Sequence, residues 1–212
     1  MEAARFERTV RTESSEIFII YGGARRVGRV DLHYGRFEVH GTLLLEVDLS
    51  DDELQQLIDQ LDEACQVLKL LWTEPRATFP GRFYQLTAAI AEPKPVQRPH
   101  PPIWIGGSGP KRTLRVVAKH AAVWNSNARS VEETRALAKV LADHCAKVGR
   151  DPATIRRSHQ IRTESADEAL RIAQESIREG FSDLLLFPAP NMPLPRGVEK
   201  AAELLPRLRA LA

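Results

Sequence analysis

Apolar positions in the first part of the chain recur every second residue. EIFIIYG (16–22) is apolar and β-branched, as a strand requires. In RVGRVDLHYGRFEVHGTLLLEV (26–47) Val30 and Leu32 share one face, and Phe37, Val39, Leu43, Leu45 and Val47 share another set of period-two positions. Tyr34-Gly35-Arg36 is the hairpin turn expected between them. Residues 1–14 are charged, follow no such period and read as poorly ordered. At Ser50 the period lengthens. Ser50 and Glu53 form a capping box, and Leu54, Leu57, Ile58, Leu61, Cys65, Leu68 and Trp72 then repeat at three and four. The first part is therefore expected to be a small antiparallel β-meander running into one long helix.

After Trp72 the pattern breaks. TEPRATFPGRFYQLTAAIAEPKPVQRPHPP (73–102) is proline-rich without a convincing period, as in a functional loop or docked flap. From Ile103 strands and helices alternate. IWI (103–105) leads to a helix over 110–120, and AAVWN (121–125) to a helix over 131–147 with a Ser130/Glu133 capping box and Gly149 as C-cap. IRRSHQIRT (155–163) is a strand, followed by a helix over 166–179 between Ser165 and Gly180. DLLLFPA (183–189) reads as a buried strand, and a last helix spans about 196–211. Such alternation implies parallel pairing. The expected class is α/β: a partial, half (β/α)-barrel-like parallel sheet with its helices, preceded by the meander and long helix. The expected division is 1–60 and 61–212.

Composition narrows the function. The 212 residues are 43% hydrophobic and 27% charged, as in a soluble globular protein. No run approaches the roughly 20 apolar residues of a membrane span. The charged N-terminus does not resemble a secretory signal. Cys65 and Cys145 form neither a metal spacing nor a disulfide framework, and read as reduced thiols in a cytoplasmic protein. Residues 1–65 carry a net charge of −7 and the remainder +9, yet the basic residues form no run interleaved with aromatics. No nucleic-acid groove is expected.

The strongest candidate for chemistry is PPIWIGGSGPKRTL (101–114). A strand breaks into Gly106, Gly107, Ser108 and Gly109 and restarts as a helix, with Pro110 suited to the first helical position. A helix N-terminus offers backbone N–H groups to an anion, and Lys111 and Arg112 add positive charge. An ordinary strand-to-helix turn has the same residues. Trp104 and Trp124 would line a pocket or fill the core; Asn125 and Ser126 follow the next strand at the same end of the sheet. His33 and His40 flank the hairpin turn without a carboxylate or thiol partner, a poor metal site, and none is expected. His100 lies in the proline-rich loop, His120 closes a helix, and His144 and His159 stand alone. No His is paired with an evident nucleophile, and Gly-Gly-Ser-Gly lacks the frame of a nucleophile elbow.

Three long stretches carry a family resemblance: LDEACQVLKLLWTEPRATFPGRFYQL (61–86), EPKPVQRPHPPIWIGGSGPKRTLRVVAKHAAVWN (92–125) and HCAKVGRDPATI (144–155). From about Leu61 onward the chain resembles the C-terminal half of the luciferase-like monooxygenase superfamily, above all its deazaflavin-dependent oxidoreductases. The resemblance implies a (β/α)-barrel that binds FMN or coenzyme F-420 and transfers a hydride or activates oxygen. It places the cofactor phosphate at Gly106–Gly109 with Lys111 and Arg112, and makes Trp124 and Asn125 cofactor-binding candidates. Residues 1–60 match no part of the family in this reading, and the first half of the barrel, with its usual acid/base residues, is not seen. Ala122 stands where the family commonly has Asp. Two readings stay open: an oxidoreductase, or a non-catalytic assembly protein built from a barrel fragment and a β module. A join of two sequences near residue 61 is a third. A half barrel leaves sheet edges to cover, so a homodimer is expected.

Overall fold

The computed structural model describes residues 4–12, 15–34, 39–45, 50–163, 165–187 and 194–211. The chain divides into two compact units, Met1–Pro102 and Ile103–Ala212.

In the first unit, strands β1 (Ala4–Arg11), β2 (Ser15–Gly22), β3 (Arg25–Tyr34) and β4 (Val39–Leu45) form an antiparallel sheet in sequence order. The expected turn at 34–36 extends beyond the described residues, but its flanks pair as expected, with His33 opposite His40. For Ala4–Arg11, β1 corrects the reading of the N-terminal segment as poorly ordered; residues 1–3, 13 and 14 lie outside the described residues. The order of β1 comes from its neighbour: the backbone pairs with β2, and Glu16 of β2 meets Arg8 at 3.1 Å and Arg11 at 3.4 Å. Those partners lie on the next strand, outside any local period.

Helix α1 (Asp51–Thr73) starts at the predicted capping box, with Ser50 Oγ accepting from Glu53 N–H and the Glu53 carboxylate accepting from Ser50 N–H. Ile58 and Cys65 of the predicted stripe are buried together with Val67, whereas Leu68 is 40% exposed. Burial pushes the Cys65 thiol up to about 11, so it stays protonated and inert at neutral pH.

The segment expected to be irregular contains a hairpin, β5 (Ala77–Pro80) with β6 (Gln85–Ala89). Its tip wraps the Glu63 carboxylate of α1, which accepts the N–H groups of Arg82 (2.9 Å), Phe83 (2.8 Å) and Tyr84 (3.1 Å). Gly81 is needed for that approach, since a Cβ there would lie 2.7 Å from the Tyr84 carbonyl oxygen. Further on, Lys94 Nζ donates to Leu71 O (3.0 Å), placing a cation at the C-terminal end of α1, and to Ala91 O (2.9 Å) in the segment after β6. His100 lies against Trp72, ring centroids 5.9 Å apart.

The second unit is a parallel sheet in strictly sequential order: β7 (Trp104–Gly106), β8 (Val123–Ser126), β9 (Arg156–Arg162) and β10 (Asp183–Phe187). Helices α2 (Thr113–His120), α3 (Val131–Lys147) and α4 (Ala166–Arg178) make the crossovers, and α5 (Leu194–Arg209) follows. Sequential order with the usual right-handed crossover puts every helix on one face. Ile161, Leu184 and Leu186 pack there against Ala169, Ala173 and Leu204. The alternate positions, including Trp104, Asn125, Ser158, Gln160, Leu185 and Phe187, therefore occupy the opposite face. α3 has the predicted bounds, with Ser130 Oγ accepting from Glu133 N–H and Gly149 in the left-handed region at φ +67°. Its box differs in one bond: the Glu133 carboxylate accepts from Arg129 N–H. Among the described residues no helix is long and apolar enough to cross a membrane.

Candidate functional site

The glycine turn lies at the C-terminal end of β7, where sites of parallel α/β sheets gather. Its geometry differs from the expected one. α2 starts at Thr113, so Pro110 is not its first residue, and Lys111 and Arg112 precede the helix. The turn itself caps α2: Leu114 N–H donates to Gly109 O at 3.1 Å, and Arg115 and Val116 N–H donate to Arg112 O at 3.2 and 3.4 Å. Gly107 is engaged twice. Its N–H donates to Asn125 O at 3.0 Å, and its carbonyl accepts the Trp124 indole N–H at 2.9 Å. The anion-binding N–H groups expected at this helix start are thus partly committed to the protein.

The glycines serve different ends. Gly107 has φ +129°, and a Cβ there would press on Thr113 Cγ2 at 3.0 Å; at Gly109 a Cβ would lie 2.7 Å from Thr113 Oγ1. Both are required by the turn. A Cβ at Gly106 would meet only ordinary contacts, the nearest Asn125 O at 3.7 Å. Gly106 is exposed, so its bare strand end leaves room that packing does not demand. Ser108 Oγ donates to Asn127 Oδ1 at 2.5 Å, and His144 Nε2 donates to Pro110 O at 2.8 Å, tying the turn to the β8–α3 loop and to α3. Lys111 is exposed and Arg112 half-buried.

The candidates on β8 separate by face. Trp124 is fully buried toward the helices, 6.0 Å from Phe181 between ring centroids, and reaches the turn only through its N–H. Asn125 is on the other face, where Nδ2 donates to Ser158 Oγ (2.8 Å) and Oδ1 accepts from Gln160 Nε2 (2.5 Å). Sequence reasoning passed over Ser158, Gln160, Thr113 and Asn127. Polar residues at period two in β9 were the available signal for the first two; Thr113 and Asn127 had none. His159 is buried between α3 and α4, with Nδ1 2.8 Å from Ser176 Oγ and Nε2 3.3 Å from Ala128 O. Burial outweighs the Ala128 bond and holds its pKa below the ordinary histidine value. Among the described residues no three His, Cys, Asp or Glu side chains gather as a metal site would require.

A one-sided helix layer on a sequential parallel sheet, with a glycine turn at the strand ends, defines a (β/α)-repeat protein. The sequence model of the luciferase-like monooxygenase family matches residues 28–207, and the chain belongs to that family. The match begins at residue 28, within β3, and takes in β4 and all of α1; residues 1–27 lie outside it. The FMNH2-dependent dimethylsulfone monooxygenase of Pseudomonas putida is 38% identical over 95 residues, 42% of this chain and 26% of that protein. The F420-dependent hydroxymycolic acid dehydrogenase of Mycobacterium tuberculosis is 28% identical over 157 residues, 73% of this chain and 40% of that protein. The chain thus spans about a third of the length of the curated relatives it matches. A solved F420-dependent secondary alcohol dehydrogenase superposes with a TM-score of 0.54 at 17% identity, covering 72% of this chain and 62% of that one, which shows a shared fold.

Proposed function

We propose that this chain belongs to a flavin- or deazaflavin-dependent oxidoreductase and that its glycine turn, Gly106–Gly109 with Lys111 and Arg112, holds the phosphate end of FMN or coenzyme F-420. The observation that carries this reading is Gly106. It is bare and exposed at the C-terminal end of a parallel strand, where packing leaves room for a side chain. The names of the relatives, one FMNH2-dependent and one F420-dependent, support the cofactor class. Such a cofactor supplies hydride transfer or oxygen activation. The protein's part here is to bind and orient. Gly106 lets the ligand approach the strand end, Ser108 fixes the turn through its bond to Asn127 and turns that bond toward the phosphate when the ligand binds, and Lys111 adds charge beside it. Trp124 and Asn125 act behind the turn, holding Gly107 by its carbonyl and its N–H. The same reading includes self-association into a homodimer.

Titration with FMN and with F-420, followed by cofactor fluorescence and thermal unfolding, tests it. Saturable binding of at least one is expected. Gly106→Val and Lys111→Glu should each weaken it roughly tenfold, about 1.4 kcal/mol, while the melting temperature without ligand stays near that of the parent. No fluorescence change and no thermal shift with either cofactor at large excess would overturn the proposal.

A further inference from the structure

On the sheet face away from the helices, side-chain hydrogen bonds climb β9 toward its C-terminal end. Asn125 Nδ2 donates to Ser158 Oγ, Gln160 Nε2 to Asn125 Oδ1, and Arg162 Nη2 to Gln160 Oε1 at 2.9 Å. The inner end of this chain is buried, Ser158 at 0% and Asn125 at 6% exposure, while Arg162 at the outer end is exposed. Register sets Gln160 beside Leu185 and Arg162 beside Phe187 on β10. The Arg162 guanidinium carbon lies 4.8 Å from the centre of the Phe187 ring. Leu184 and Leu186 pack toward the helices, so Leu185 and Phe187, both half-buried, share the face of Arg162.

The guanidinium is held in two ways, one nitrogen by an amide oxygen and its carbon over an aromatic ring. Among the described residues its other N–H groups have no partner and form a donor edge. Among the described residues no carboxylate pairs with Arg162. By contrast, Arg156, at the opposite end of β9, meets Asp183 at 3.4 Å. A planar cation with a free edge matches a carboxylate, which two parallel N–H bonds can hold. A single positive charge balances one carboxylate, whereas a phosphate dianion calls for a second cation. The flanking Leu185 and Phe187 supply an apolar surface for the rest of the molecule.

We infer that Arg162, held by Gln160 and seated on Phe187, binds the carboxylate of a small aryl or alkyl acid, with Phe187 and Leu185 against its apolar body. The site lies on the same face and at the same strand ends as Gly106. Its role as a substrate subsite rests on the cofactor reading above; its existence as a binding site does not.

Benzoate is the probe and benzyl alcohol, similar in shape without the charge, is the control. Both are titrated into the whole chain without cofactor and followed by NMR chemical shifts. Saturable shifts with benzoate, and much weaker ones with benzyl alcohol, are expected. Arg162→Gln should weaken benzoate binding roughly tenfold or more. Arg162→Lys, which keeps the charge but loses the planar fork, should fall between. Phe187→Leu should weaken binding with the charge intact. The inference is overturned if wild type shows no saturable response, if benzyl alcohol binds as well as benzoate, or if Arg162→Gln binds benzoate like the parent. A parallel FMN and F-420 titration keeps the two readings apart. Benzoate binding that depends on Arg162 without any cofactor binding removes the cofactor reading and leaves the carboxylate site standing. Cofactor binding with benzoate indifferent to Arg162 removes this inference alone.

Discussion

His159 is 2% exposed, and the hydroxyl its Nδ1 faces is already donating elsewhere: Ser176 Oγ–H goes to Ile172 O at 2.7 Å. Thr134 Oγ1, 3.4 Å from Nε2, likewise donates to Ser130 O. Desolvation dominates at this site and keeps the ring neutral. A histidine whose pKa is lowered on folding adds stability that is complete above its unfolded value of 6.5 and is lost as pH falls through the folded value. Urea unfolding between about pH 7.5 and about pH 5 should therefore show stability falling by up to about 1.4 kcal/mol per pH unit from this group. His159→Gln should flatten that part of the slope. An unchanged slope in the variant would assign the pH dependence to other groups.

Among the elements, the β5–β6 hairpin depends most plainly on one side chain outside it. Glu63 is the shared acceptor for three successive N–H groups at the hairpin tip. Burial works against its charge, but those bonds outweigh burial and hold the carboxyl below its ordinary range. Glu63→Gln keeps the size and removes the anion. It should lower the melting temperature and speed hydrogen exchange at the amides of Arg82, Phe83 and Tyr84. The parent should lose the same stabilisation as pH falls below 4.5, through the depressed folded value, because a lowered carboxylate stabilises only while ionised. Exchange rates equal to the parent's in the variant would remove Glu63 from this role. The elements read correctly from sequence, such as α1, α3 and α4, carry their own signals: Ser50, Ser130 and Ser165 each accept from the residue three further on. β1 and the β5–β6 hairpin carried none, since Glu16 and Glu63 stabilise them from other elements.

For the whole molecule, β7 and β10 form the two edges of the parallel sheet and each pairs on one side within the described residues. Unpaired strand edges invite a second chain. Light scattering at micromolar concentration should give about twice the 23.8 kDa chain mass; a mass equal to one chain would end the homodimer proposal. The fold class was legible because alternation between strand and helix periods survives in a parallel α/β unit. The family was legible because its long matching stretches run through α1 and the glycine turn. The site was legible only in outline.

By itself the sequence determined what neighbours along the chain can decide: the periods, the serine caps, the glycine turn and its place at a strand end. Tertiary structure decided what depends on groups brought together from afar. It showed that Thr113 accounts for Gly107 and Gly109 but not for Gly106, that the turn caps its own helix, and that Trp124 and Asn125 belong to opposite faces. It also joined Asn125 to Ser158 and Gln160, residues separated in sequence by an entire helix. In a parallel sheet, adjacent strands are always that far apart along the chain, so the pairing that builds the site has no local signature.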